Sequence, residues 1–192
     1  MQHYRLFSTN QFIIRQSKLA LKLGYQQSIR QEFAHPQDPG IAGLSLKLQT
    51  ASYDVKFYLP EKKGWESAIG INGMYQVNNT NAGTEFVIPN YTLFDIAPFM
   101  YVKKELKKFD IAAGARYDTR SFQNSELYTT TNPATGFDKV TSDTADAVKR
   151  VDHYSHVFNG FSGSIGITYT ITDQLLVKAN GARGFRAPNI SE

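Results

Sequence analysis

The chain has 192 residues, 41% of them apolar, and a formal net charge of +4; no stretch approaches the run of about 20 apolar residues that a membrane-spanning helix requires. It has no cysteine, which excludes disulfides and thiolate chemistry, and its basic residues are scattered over turns without an aromatic-interleaved patch, which argues against nucleic acid as a partner. Aromatic residues make up 13%, with 11 Tyr against one Trp, a balance that favours sheets and interfacial girdles over helix bundles.

In chain order, residues 4–14 can form a strand, and Arg15, Gln16, Ser17 and Lys18 a polar reversal. Leu19, Leu21, Leu23 and Tyr25 then alternate with Lys18, Ala20, Lys22 and Gly24, the period of two that marks a strand with one apolar face. A polar extension runs to Phe33, and the ladder is broken by Pro36, Pro39 and Gly40. Residues 44–59 read as one long strand whose apolar phase slips, since Leu44, Leu46 and Leu48 are even while Tyr53, Val55, Phe57 and Leu59 are odd. A β-bulge at residues 50–52 would reconcile the registers, or the first half projects beyond a membrane, where facing is unconstrained.

After the reversal at residues 60–64, Trp65, Ser67, Ile69, Ile71, Gly73, Tyr75 and Val77 share a face opposite Asn72 and Gln76. A polar loop over residues 78–90 leads to a run that groups Ala97, Phe99 and Tyr101, with Pro98 on the other face; proline inside a strand asks for a bulge or a local edge. Beyond the basic turn at 103–108, Phe109, Ile111, Ala113, Ala115 and Tyr117 face one way, and Asp110, Gly114, Arg116 and Asp118 the other. Residues 119–156 form the longest irregular stretch, expected to be solvent-exposed and the least ordered part of the chain. The last hairpin is the clearest. Phe161, Ile165, Ile167, Tyr169 and Ile171 oppose Ser162, Ser164, Gly166, Thr168 and Thr170, residues 172–174 reverse the chain, and Leu175, Val177 and Ala179 rebuild the apolar face against Leu176, Lys178 and Asn180.

The connections alternate strictly: short ones follow Ile14, Leu59, Val102 and Ile171, long ones Phe33, Val77 and Phe122. That asymmetry is the pattern of an outer-membrane barrel, with short periplasmic turns and long extracellular loops. The reading is all-β, an antiparallel up-and-down transmembrane barrel fragment of about eight strands. It starts and ends on the long-loop side, so it is expected to be an open sheet cut from a larger barrel, with unpaired edges. Leu19, Leu21, Leu23, Val55, Phe57, Ile69, Ile71, Ile111, Ile165, Ile167 and Val177 are expected to face lipid. Lys22, Asp54, Lys56, Asn72, Gln76, Asp110, Arg116, Asp118, Lys178 and Asn180 fall opposite, where they meet water, one another or a plug.

No enzyme constellation survives inspection. Ser162, within Gly160, Phe161, Ser162, Gly163 and Ser164, suggests a nucleophile elbow but lacks the final glycine and sits inside strand alternation, so it reads as a small lumenal residue. Asp152, His153 and His156 lack regular spacing and read as solvated, leaving no metal site and no cofactor. The sequons at Asn78, Asn90 and Asn189 read as chance.

The run Gly184, Phe185, Arg186, Ala187, Pro188 and Asn189, directly after a Leu-Val-Lys-Ala strand, resembles a segment of TonB-dependent outer-membrane receptors that sits at the outer end of a barrel strand. Less specific likenesses lie at residues 24–26, 53–57, 70–76, 86–89 and 114–120, so the resemblance spans nearly the whole chain, residues 1–192, as a partial barrel domain. The resemblance implies an outer-membrane location, a plug domain inside the barrel, further barrel strands, coupling to the TonB protein through a segment upstream, and uptake of a scarce bulky solute such as a ferric siderophore. A protein of this kind should carry a signal peptide, and none follows Met1, so the natural N-terminus is expected to lie upstream. Lys22, Arg116, Lys178, Asn180 and Arg186 are candidates to touch plug or solute, with Arg183 on the opposite face; Gly181 and Gly184 are expected where another backbone comes close. The rivals are a complete small eight-stranded barrel with a structural or adhesive role, and a soluble β-rich binding domain.

Overall fold

A computed structural model describes residues 1–80 and 82–188. Eight strands form one antiparallel sheet: β1 (Gln2–Ile14), β2 (Ser17–Glu32), β3 (Leu44–Tyr58), β4 (Trp65–Asn79), β5 (Tyr91–Glu105), β6 (Phe109–Asn124), β10 (Tyr154–Thr172) and β11 (Leu175–Arg183), each paired with its neighbour in chain order. Between β6 and β10 lie three short strands, β7 (Leu127–Thr131), β8 (Asp138–Val140) and β9 (Val148–Val151), which make a separate small sheet. No ladder joins β1 to β11 among the described residues, so the sheet is open and the closed eight-stranded barrel is not formed. No helix is long and apolar enough to cross a membrane, which says nothing about crossing by strands.

The short reversals are built tightly. Lys62 and Trp65 exchange backbone hydrogen bonds around Lys63 and Gly64, whose φ angles of 53° and 73° give the doubly left-handed turn that suits the twist of a hairpin. Arg15 has a φ of 55° in the reversal between β1 and β2, a conformation that costs an L-residue about 1–2 kcal/mol.

Register fixes which side chains share a face. Leu19 lies opposite Phe57, and Phe57 opposite Ile69; Leu21 opposite Val55, and Val55 opposite Ile71. Ile111 opposes Ile167, which opposes Ala179, while Tyr169 opposes Val177. None of the eleven side chains expected to face lipid is buried; Ile165 is 62% and Val177 51% exposed, which rules out a closed soluble core around them. Aromatic rings bound this apolar band on both sides. Tyr25, Tyr75, Phe94, Tyr117 and Phe161 stand exposed toward the long loops, and Phe12, Trp65, Phe109 and Tyr169 toward the short turns, with Phe109 stacked on Tyr169 at 4.5 Å. Tyr117 and Phe109 are eight residues apart on β6. At about 3.3 Å per residue and a tilt of about 40°, they are roughly 20 Å apart across the bilayer, and the reach of the rings brings the band near the usual ~25 Å.

Three expectations need correction. Strand β3 pairs with β2 and β4 in unbroken register, so there is no bulge at residues 50–52; its upper half projects past the band and its even leucines turn inward. In β5 the phase is the reverse of the apolar grouping. Phe99 pairs with Gly70 and Arg116 on the inner face, whereas Phe94, Ile96, Pro98, Met100 and Val102 look outward. Pro98 needs neither bulge nor edge: it keeps its place opposite Ile71, and the β5–β6 pairing lapses at Ala97 and Pro98 with the register unchanged on either side. Finally, residues 119–156 are not one irregular stretch, because β6 extends to Asn124, β10 starts at Tyr154, and the threonine-rich run of β7 uses the β-branched preference for extended backbone. Leu127 and Thr129 there are almost wholly buried.

Candidate lumenal site

Inward-pointing residues of β2 to β6 build a charged, water-facing wall. At its centre Arg120 donates two hydrogen bonds to Asp95, 2.8 and 2.7 Å, joining β6 to β5 with both side chains about four-fifths buried. Four residues back along β6, Arg116 donates to Asp118 at 2.7 Å. Lys56 sits over the rings of Tyr58 and Phe99, and Lys18 over Tyr58, so these two cations rest on aromatic faces in place of carboxylates. Phe99 reaches that position because Gly70 opposite has no side chain; a Cβ there would come within 2.4 Å of the ring. An unpaired Lys or Arg at the midplane of a lipid-facing surface costs about 2–4 kcal/mol, so this density of charge identifies the concave side as the one turned from lipid.

Higher up, the wall changes character. Tyr91 donates to Gln76, which donates to Thr50, both at 3.0 Å, in a polar rung across β5, β4 and β3. Phe122 meets Tyr91 and Tyr154 in tilted ring contacts, and Tyr154, His156 and Phe158 follow one another down the inner face of β10.

The segment after β11 does not continue the strand. β11 ends at Arg183, opposite Gly163, and residues 184–188 cross the inner wall instead. The Phe185 amide donates to Ser162 Oγ at 3.0 Å, its ring covers Gly160, where a Cβ would come within 2.0 Å, and Arg120 donates to the Pro188 carbonyl at 3.4 Å. Ser162 is thus a tether for this segment. The close approach lies at Gly160 and not at Gly181 or Gly184, where an added Cβ would meet nothing within 4 Å. Asn189 and the sequon it opens lie outside the described residues.

Three concavities line the wall. One of about 610 Å³ runs over Lys22, Gly24, Ser52, Asp54, Asn72 and Asp95; a second, of about 690 Å³, over Lys56, Phe99, Ser162 and Ser164; a third, of about 220 Å³, lies between the wall and Phe185, Arg186 and Ala187. Arg116 borders all three. Of the candidates, Lys22 shares the first space with Arg116, and Arg186 the third, while Lys178 and Asn180 lie apart on the inner face of β11, opposite Thr168 and Gly166. Sequence reading missed Asp95 and Arg120. Asp95 was hidden by the reversed phase of β5, although the apolar even positions from Phe94 to Val102 carry the signal; Arg120 continues the even series of Asp110, Arg116 and Asp118.

His153 Nδ1 lies 2.7 Å from the Asn124 carbonyl and His156 is stacked between rings, and the described residues contain no cluster of three metal-ligating side chains. Asn78 is buried and donates to the Pro89 carbonyl.

Residues 99–192 match the family described as TonB dependent receptor-like, beta-barrel. That span runs from the middle of β5 to the end of the chain and takes in Arg116, Lys178, Asn180 and the residues from Gly184 to Asn189; Lys22 lies outside it. Comparison with curated proteins returns no match.

Proposed function

We propose, from the premise that residues 99–192 are TonB-dependent receptor barrel and that β1–β4 continue the same wall, that the chain is part of an outer-membrane transporter for a scarce, bulky solute such as a ferric siderophore. Residues 1–192 are then a partial barrel domain, completed by further strands, an internal plug and the TonB protein that supplies energy. The observation that carries the reading is the inner wall. Its central charges, Arg120 with Asp95 and Arg116 with Asp118, are paired within the wall, Lys56 rests on rings, and Arg116 borders all three spaces, an arrangement suited to a polar occupant that must slide past without being held by an isolated charge at the centre. Arg116, Arg186 and Lys22 bear on that occupant or on the plug; Lys178 and Asn180 meet it nearer the short turns.

The test is uptake of radiolabelled ferric siderophores by cells producing the full-length protein, with the inner-membrane energy supply intact or collapsed. Energy-dependent accumulation is the expected result. Equal accumulation with and without the protein, over a panel that also includes cobalamin, peptides and glycans, would overturn the transport reading.

A further inference from the structure

The two rims of the sheet carry opposite charge. The short connections hold five basic residues, Arg15, Lys62, Lys63, Lys107 and Lys108, against two acidic ones, Glu61 and Asp173. The long connections hold seven acidic residues and three basic. On the short-turn rim, Glu66 and Glu105 are taken up by Lys103, whereas no carboxylate among the described residues pairs with Lys62, Lys63, Lys104, Lys107 or Lys108. These cations stand beside the exposed rings of the lower girdle: Lys104 lies over Trp65 at 5.4 Å and donates to the Lys63 carbonyl, and the Lys107–Lys108 turn precedes Phe109. A ring at the level of the polar interface with unpaired ammonium groups at its edge matches a phospholipid, whose acyl chains lie on the apolar band and whose phosphate faces the cations.

We propose that this outer corner of the short-turn rim, formed by Lys63, Trp65, Lys104, Lys107 and Lys108, is a binding site for anionic phospholipid headgroups of the adjoining leaflet. The inference rests on the membrane-barrel reading and adds a ligand that the transport reading does not require. Charge complementarity selects the occupant, since a zwitterionic headgroup brings a cation of its own to a surface already rich in ammonium groups.

Trp65 is the only tryptophan of the chain and reports on the site directly. The full-length protein would be folded into phosphatidylcholine vesicles doped with brominated phosphatidylglycerol or brominated phosphatidylcholine, with Trp65→Phe as the blank whose subtraction isolates the Trp65 emission from that of any tryptophan elsewhere. Stronger quenching by the anionic lipid is expected, with the preference falling about threefold to fivefold for each lysine neutralised in Lys63→Gln, Lys104→Gln and Lys107→Gln/Lys108→Gln. Equal quenching by both lipids, or a preference that survives all four substitutions, would overturn the site while leaving the barrel in the membrane. Loss of the preference in millimolar glycerol phosphate would make this a site for free phosphate and overturn it as well. Quenching by neither lipid would remove the membrane reading along with it.

Discussion

Strand β3 follows opposite rules in its two halves. Near the short turn, Tyr53, Val55 and Phe57 point outward and Asp54 and Lys56 inward; beyond Thr50 the inward positions belong to Leu48, Leu46 and Leu44. Backbone register is continuous, so the change is not in the strand but in what surrounds it. Inside the band the outer solvent is hydrocarbon, and apolar side chains gain by turning to it. Past the girdle both sides are wet, and the buried apolar side chains there, Leu93 and Phe122, paired across β5 and β6, lie on the inner side. Hydrophobicity alone is therefore a poor guide to facing in such a strand; position relative to the girdle decides its sign.

The sharpest way to break this contrast is to place the same charge on the outer face of each region. Ile165→Arg, in the band, should destabilise the protein by about 2–4 kcal/mol in urea titrations in lipid vesicles, whereas Gln123→Arg, outward on β6 above the girdle, should stay within about 0.5 kcal/mol. Similar losses at both sites would abolish the distinction.

The upper region has its own core to test. Leu127, 2% exposed, should lose about 2–3 kcal/mol of local stability as Leu127→Ala, seen as faster amide exchange in β7–β9 with β10 unaffected below the girdle. Uniformly faster exchange would mean that the two regions open together.

Sequence showed the eight long strands and their loop asymmetry because the outward face over the band is kept apolar in nearly every strand. Where that pressure stops, legibility stops too. Residues 127–151 looked like a loop since their burial is against a local core, with Leu127 and Thr129 giving only two inward positions to read. β5 was misread because both of its faces are apolar near the middle, Phe99 and Tyr101 inward against Pro98 and Met100 outward. The path of residues 184–188 depends on Ser162 and Gly160, which lie more than twenty residues earlier and carry no periodic mark.

The ion pair at the boundary of the two regions should matter less. Arg120→Ala is expected to cost about 1–2 kcal/mol, and adding Asp95→Ala should recover part of it, because the single change leaves a carboxylate four-fifths buried with no partner. Strict additivity in the double-mutant cycle would show that the two do not act as a pair.

The smallest effect concerns pH in the loop sheet. Hydrogen bonds from Lys149 and then Tyr128 hold the Glu126 carboxyl below its ordinary range, while bonds to Asp152 and Glu126 push the Lys149 ammonium up. A depressed carboxyl stabilises the fold above its unfolded value and loses that contribution as pH falls through the folded one. Protection of β7 and β9 amides should therefore be flat from neutral pH down to the ordinary carboxylate range and decline below it, with the band strands unchanged; a decline that begins near neutrality would assign the effect to another group.

The lapse in pairing at Ala97 and Pro98 gives the wall an uneven stiffness. Resistance to bending in a sheet comes from its rungs, and here two consecutive ones are missing between β5 and β6, next to a residue that has no amide proton to offer. The gap falls at the height of Arg116, beside the spaces that this residue borders. A sheet with such a seam flexes as two stiff panels about a soft joint, so changes of curvature are concentrated along β5 and β6 and need not be shared across all eight strands.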